Sequence, residues 1–269
     1  RPARLSVTGP LSCMVAARDL RAQLVFDGQA GLASLQADAG QLQLGPDVAL
    51  IWDAVRMQFD TPRPALQLRA RIDPFSLVPL LTRLQPGMGW QGDMRVGAQL
   101  DIQAGERMDA EIVIERHDGD LHLAGSEGLQ LLGLSEARLA VSVHDGVWLF
   151  TPRFKGRILG EVTGSARLRT AAQNRWPAAD APLEGDVHAQ VADIGIWSAW
   201  VPPGWRLAGQ LGTTARLSGT FGEPRYHGEV TGKELSVRNL LAGVNVSGGQ
   251  IDLRLEGDNA RIERFTLRG

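Results

Sequence analysis

The sequence predicts a mostly β protein of antiparallel sheet, and three observations predict it. Apolar and polar residues alternate with a period of two through most of its 269 residues, which puts one class of side chain on each face of a sheet. Asp118-Gly119 and Asp145-Gly146 separate such runs, and Asp-Gly favours the tight two-residue turn between antiparallel neighbours. Helical starts are confined to two short segments, after Asp73 and after Asp193. Read this way, the chain holds roughly sixteen to eighteen strands and two short helices.

The span Asp193 to Gly269 reads as a second copy of Asp73 to Gly156. Each opens with Asp and a short apolar segment, Asp73-Pro-Phe-Ser-Leu77 or Asp193-Ile-Gly-Ile-Trp197, and continues into a Pro/Gly break, Gln85-Pro-Gly-Met-Gly-Trp90 or Val201-Pro-Pro-Gly-Trp205. Each then runs through alternating strands to Phe154-Lys-Gly156 or Leu267-Arg-Gly269. Spans of 84 and 77 residues are much longer than a propeller blade or solenoid coil. The expected organisation is the end of a preceding β repeat over 1–72, a β repeat with a short N-terminal helix over 73–170, a loop over 171–182, and a second β repeat with a short helix over 183–269.

In chain order, residues 1–72 read as strands: Ala22, Leu24 and Phe26 alternate with Gln23 and Asp27, Val55, Met57 and Phe59 with Arg56, Gln58 and Asp60, and Leu66, Leu68, Ala70 and Ile72 with Gln67, Arg69 and Arg71. Asp73-Pro74 then predicts a helix, Asp as N-cap and Pro in the first position, with Leu77, Leu80, Leu81 and Leu84 on one stripe and Pro79 splitting or shortening it. Strands resume with Met94 to Ile102, Ala110 to Ile114, Leu121-Leu123 and Ala137 to Val143. Residues 171–182, Ala-Ala-Gln-Asn-Arg-Trp-Pro-Ala-Ala-Asp-Ala-Pro, carry no pattern and predict an exposed loop. A strand over Leu183 to Val191, a helix from Asp193 to about Trp200, and a second sheet follow. In that sheet Leu207, Leu211, Ala215 and Leu217 share a face, and Ile251, Leu253 and Leu255 alternate with Asp252, Arg254 and Glu256.

This much one-sided sheet needs a cover. Two short helices are too small, which leaves a closed barrel, a two-layer sandwich, or a sheet curled around something else. Glycines within strand patterns, Gly97, Gly164, Gly209 and Gly228, ease tight curling. The pattern itself leaves the three solutions open.

Composition narrows the function classes. A net charge of −2, with 28 basic and 30 acidic residues spread along the chain, provides no basic face for nucleic acid. The lone Cys13 excludes an internal disulfide framework. No apolar run approaches the ~20 residues of a membrane-spanning helix. Starting at Arg1 and stopping after a strand-like segment, the chain reads as a piece of something longer, with any anchor elsewhere.

Motifs for catalysis are absent. Gly87-Met-Gly89-Trp-Gln-Gly92 spells a dinucleotide fingerprint, but it follows a helix and leads into a strand, the reverse of the required order, and is read as a turn. His117, Asp118, Asp120 and His122 have ligand chemistry, although the polar tip of a hairpin explains them equally. His144, His188 and His227 stand singly on strands, and Asn245-Val-Ser247 is a three-residue glycosylation spelling. The seven tryptophans, with Trp197, Trp200 and Trp205 close together, read as packing anchors. The expectation is a protein that is not an enzyme and needs no metal or other cofactor.

The run Leu207-Ala-Gly-Gln-Leu-Gly-Thr-Thr-Ala-Arg-Leu-Ser-Gly-Thr-Phe-Gly-Glu-Pro-Arg-Tyr-His-Gly-Glu-Val230 resembles the repeating units of the TamB family, the inner-membrane-anchored subunit of the translocation and assembly module of Gram-negative bacteria. In that family a strand ending in Gly-Thr, a turn with Pro and a strand carrying Gly recur, as Gly219-Thr220, Pro224 and Gly228 do here. Strands over Lys233 to Leu241, Val244 to Gly248, Ile251 to Leu255 and Arg261 to Gly269 complete the likeness, which extends over most of residues 73–269 and is shared with AsmA-like proteins.

The resemblance implies the curled solution, a long antiparallel sheet forming a β-taco or trough with an apolar interior, one segment of a periplasmic conduit between inner and outer membrane. It implies a groove that shields phospholipid acyl chains, at ~0.8 kcal/mol per CH2 withdrawn from water, and an association with outer-membrane protein assembly through a TamA-like partner of the Omp85 class. The candidate lining is Leu207, Leu211, Ala215, Leu217, Val230, Leu235, Val237, Val244, Val246, Ile251, Leu253 and Leu255. A dry core explains the same residues. The alternative function is a chaperone or scaffold that binds outer-membrane protein clients or the TamA-like partner by strand addition. A third reading is a carbohydrate-binding sandwich.

Overall fold

The computed structural model describes residues 3–7, 13–18, 22–27, 31–44, 48–59, 63–125, 128–170, 176–195, 204–257 and 259–268. Within them twenty strands succeed one another: β1 (Ala3–Val7), β2 (Cys13–Arg18), β3 (Ala22–Asp27), β4 (Gly31–Ala37), β5 (Gly40–Leu44), β6 (Ala49–Gln58) and β7 (Ala65–Ser76) precede helix α1 (Val78–Leu84). After it come β8 (Trp90–Gly92), β9 (Arg95–Ala104), β10 (Met108–Asp118), β11 (Leu121–Gly125), β12 (Gly128–Leu131), β13 (Leu134–His144), β14 (Val147–Gly156) and β15 (Gly160–Arg169). The chain ends with β16 (Leu183–Val191), β17 (Arg206–Gly219), β18 (Pro224–Asn239), β19 (Val244–Gly257) and β20 (Asn259–Arg268).

Seventeen of these strands form one long antiparallel sheet that does not close, so the protein is a curled, open trough and neither a barrel nor a sandwich. From β6 the ladder runs β7, β9, β10, β13 and then strand by strand to β20, each pair antiparallel. The other edge of β6 is shared, Gly40–Gln43 of β5 pairing with its first half and Ser34–Ala37 of β4 with its second. Trp52 on β6 lies against Gly40, where no side chain intervenes, and its Nε1 donates to the Asp38 carbonyl at 2.8 Å.

Strands β12, β11 and β8 form a separate three-stranded sheet. With α1 it covers one end of the main sheet. Met94, Val96, Leu121, Leu123, Leu132, Leu134 and Ala137 are buried there, with Leu77, Val78, Leu81 and Trp90 packed against them. Asp120 ties the two sheets together: its carboxylate accepts the backbone N–H groups of Leu121, Gly133 and Leu134 at 2.8, 2.9 and 3.0 Å.

Several local expectations are corrected. Asp73 and Pro74 belong to β7, and the helix begins after Leu77 with Pro79 in its first turn, where a missing N–H leaves no bond unmade. Pro74 falls where the β7–β9 register shifts, between Ile72 and Phe75, so the strand passes a residue that cannot donate. Of the leucine stripe, Leu77 and Leu81 pack inward, whereas Leu80 and Leu84 are exposed. Asp118-Gly119 does not close a hairpin. Both edges of β10 are occupied by β9 and β13, so β11 has no edge to pair with and leaves for the small sheet.

Asp145-Gly146 does join neighbours, β13 and β14, with φ of 48° and 74° at the two turn residues. The strands expected over Lys233 to Leu241 and Val244 to Gly248 merge into longer ones, β18 and β19, because irregularities at Glu234 (φ 54°) and Gly248 (φ 60°) bend the ladder without ending it, while Leu240 and Leu241 fall in the exposed turn after β18. Of the second expected helix, residues 196–200 lie outside the described residues, as do Trp197, Trp200, Val201 and Gly269; Ile194 and Gly195 form a helical turn.

Candidate apolar groove

Cross-strand register assembles the face from individual residues. Ala110, Val143, Trp148, Leu168 and Leu183 stand opposite one another across β10, β13, β14, β15 and β16. A parallel row carries Ile112, Val141, Phe150, Ala166, Gly185 and Leu217 into β17. These residues form one cluster in which Trp148 and Val143 are 3% exposed and Leu168 2%. A single sheet layer buries one face that deeply only where something lies over it, as Trp176 lies over Trp148.

Glycines permit the curl. Gly164 on β15 and Gly228 on β18 sit in the row with Val187 and Ala215. A Cβ at Gly164 would lie 2.5 Å from the Asp186 carbonyl oxygen, and one at Gly228 2.1 Å from that of Thr214. The backbones approach where a side chain would hold them apart. Gly209 (φ 121°) serves a bulge between β17 and β18, whereas a Cβ at Gly97 would meet nothing closer than 3.3 Å.

All twelve candidate lining residues fall on the continuation of this face. Val191, Leu211, Gly232, Ile251 and Phe265 form one row; Ala189, Thr213, Val230, Leu253 and Ile262 the next; Val187, Ala215, Gly228, Leu255 and Ala260 a third. Leu207, Val237 and Val246 align farther along, with Val244 opposite Asn239, and Leu235 opposite Gly249. Ala215 is buried and the other eleven are half-buried. Exposure rises toward the last strand, where Ile262 is 63% and Phe265 56% exposed.

The opposite face is polar and laced across strands by ion pairs such as Arg69–Asp101 at 2.9 Å and Arg254–Glu263 at 3.0 Å. Each is solvent-exposed and so worth little by itself. A shallow cavity of about 330 Å³ on this face is lined by apolar Ile51 and Val113 together with Asp53, Arg69, Asp101 and Glu111.

The polar residues around 117–122 are used locally. His117 Nδ1 lies 2.8 Å from Asp118, while Asp120 is taken by backbone N–H groups. His144 Nδ1 lies 2.6 Å from Asp109, and His188 is 3.6 Å from Asp186. Among the described residues no group of three or more His, Cys, Asp or Glu is placed to hold a metal ion.

The lining chosen from sequence stops at β17, but the most deeply buried part of the face lies on β10 to β16. The same alternation, Val141 and Val143 above all, marks it in the sequence. What alternation does not carry is Trp176: it lies over Trp148, ring centroids 5.1 Å apart, on the loop expected over 171–182. Of that loop residues 171–175 lie outside the described residues, and the rest is clasped to a distant turn, Phe221 N–H donating to the Ala181 carbonyl and Gly222 N–H to that of Ala179. Ala181 is buried.

No helix among the described residues is long and apolar enough to cross a membrane. Compared with family models, curated proteins and solved structures, the chain matches none of them.

Proposed function

We propose that this chain is a periplasmic segment of a TamB-like bridge protein, in which the curled sheet shields phospholipid acyl chains on their way between inner and outer membranes. The observation that carries the reading is the state of the face over β17 to β19: aliphatic residues aligned across three strands, eleven of the twelve candidates half-buried. A dry core of that size buries such side chains fully. A concave wall that meets a hydrocarbon chain leaves them half-covered, and acyl chains need apolar surface without directional partners. Headgroups stay in water at the open seam. The resemblance over residues 207–230 supports the same reading and extends it to an association with a TamA-like outer-membrane partner.

The test is lipid retention. Native mass spectrometry of the purified chain is expected to find bound phospholipid, and Leu253→Glu, on the half-buried face, is expected to abolish it while circular dichroism stays β-rich. Wild-type protein that carries no lipid after incubation with phospholipid vesicles overturns the proposal.

A second reading is favoured by β20, which among the described strands pairs with β19 and whose Ile262 and Phe265 are exposed. An open strand edge accepts an added strand. In this reading the chain is a scaffold that receives an unfolded outer-membrane protein client or the TamA-like partner, and crosslinks from β20 to a client without co-purifying lipid are its signature.

A further inference from the structure

Trp148 is 3% exposed, and its indole N–H is buried with no acceptor among the described residues. A buried donor without a partner is destabilising, and folds keep few of them. A bound water is a poor remedy here. The neighbours across the sheet are Val143 and Leu168, with Phe150 stacked at 6.1 Å, all apolar side chains that give a water no hydrogen bond.

The site belongs to the groove. Leu217, a candidate lining residue, packs against the cluster that contains Trp148. Trp176 lies over the indole, ring centroids 5.1 Å apart, and is itself 66% exposed. Its segment is pinned farther along, at Ala179 and Ala181.

We propose that Trp148 is the polar anchor of the groove, its Nε1–H donating to an ester carbonyl of an acyl lipid, and that Trp176 is the cover an entering chain displaces. The inference rests on the acyl-chain reading and specifies its ligand. An occupant of this site must bring an acceptor at the root of a hydrocarbon chain, and it must bring it uncharged. Among the described residues the row through Trp148, with Ala110, Val143, Leu168 and Leu183, contains no cation that would compensate a buried carboxylate, and an unpaired buried charge is strongly disfavoured. An ester carbonyl meets both conditions at any pH; a free fatty acid meets the second only as its neutral acid, which burial favours.

The experiment compares a diacyl phosphatidylglycerol with its dialkyl-ether analogue, which has the same tails and headgroup but no carbonyl. Both are presented in vesicles to the full chain and to Trp148→Phe. Wild type is expected to bind the ester lipid roughly five- to tenfold more tightly, the effect of one neutral hydrogen bond, and Trp148→Phe to bind both lipids equally. Equal binding of the two lipids by wild type overturns the anchor while leaving the acyl-chain groove standing, and because that comparison uses wild type alone it holds even if the variant fails to fold. A preference that survives in Trp148→Phe also overturns the anchor. Binding of neither lipid by wild type overturns the groove itself.

Discussion

Gly228 shows how a single missing side chain shapes the trough. It stands between Ala215 and Leu255 on the apolar face, with the Thr214 carbonyl occupying the space a Cβ would need. Gly228→Ala is expected to lower stability by about 1–3 kcal/mol, the usual range for overpacking, read as a reduced midpoint in urea denaturation. An unchanged midpoint means the strands separate there without loss. At this scale the sequence was readable in part. Gly164 and Gly228 stand out because they interrupt apolar alternation, but the spelling is the same at Gly97, where the neighbouring strand keeps its distance. Which glycine is a close contact depends on how neighbouring strands coil, and no local pattern encodes that.

Among the elements, the small sheet is held by one carboxylate. Asp120 receives three backbone N–H groups from the start of β11 and the entry to β13, besides the packing of α1 and Trp90 beneath it. Asp120→Ala leaves those donors without their acceptor and is expected to cost about 1.5–3 kcal/mol, the value of hydrogen bonds to a charged group. Amide exchange is the measurement, and faster exchange confined to β8, β11, β12 and the Gly133–Leu134 amides is the expected result. Equal acceleration across β17 to β20 would show that Asp120 supports the whole sheet instead. Strand identity was legible because a period of two is local to each strand. Partner identity was not, since it turns on which edges are already filled, and Asp118-Gly119 illustrates the difference: a hairpin signal beside a strand with no edge left to offer. The helix start was misplaced for a related reason, the ladder to β9 extending β7 past Pro74.

For the whole molecule, stability is a sum over neighbouring strands, since each strand of the main sheet touches its lateral partners and, among the described residues, no second sheet backs β14 to β20. Such nearest-neighbour architectures unfold progressively from their ends. Native-state hydrogen exchange is expected to show strongest protection over β9 to β16, where Trp148, Val143 and Leu168 are buried, and weakest over β20. Uniform protection along the ladder would indicate a single cooperative unit. The curled shape itself was not legible from alternation, which is identical for barrel, sandwich and trough. It depends on whether the last strand finds the first, a long-range event.

The second layer formed by α1, β8, β11 and β12 backs a short stretch of the ladder near β9 and β13. Thickness governs flexural stiffness, so that stretch acts as a rigid clasp while the single-ply wing from β14 to β20 can flex, widening or narrowing its mouth without breaking a backbone bond. Breathing of the trough is therefore concentrated on the far side of the clasp, where its walls are thinnest.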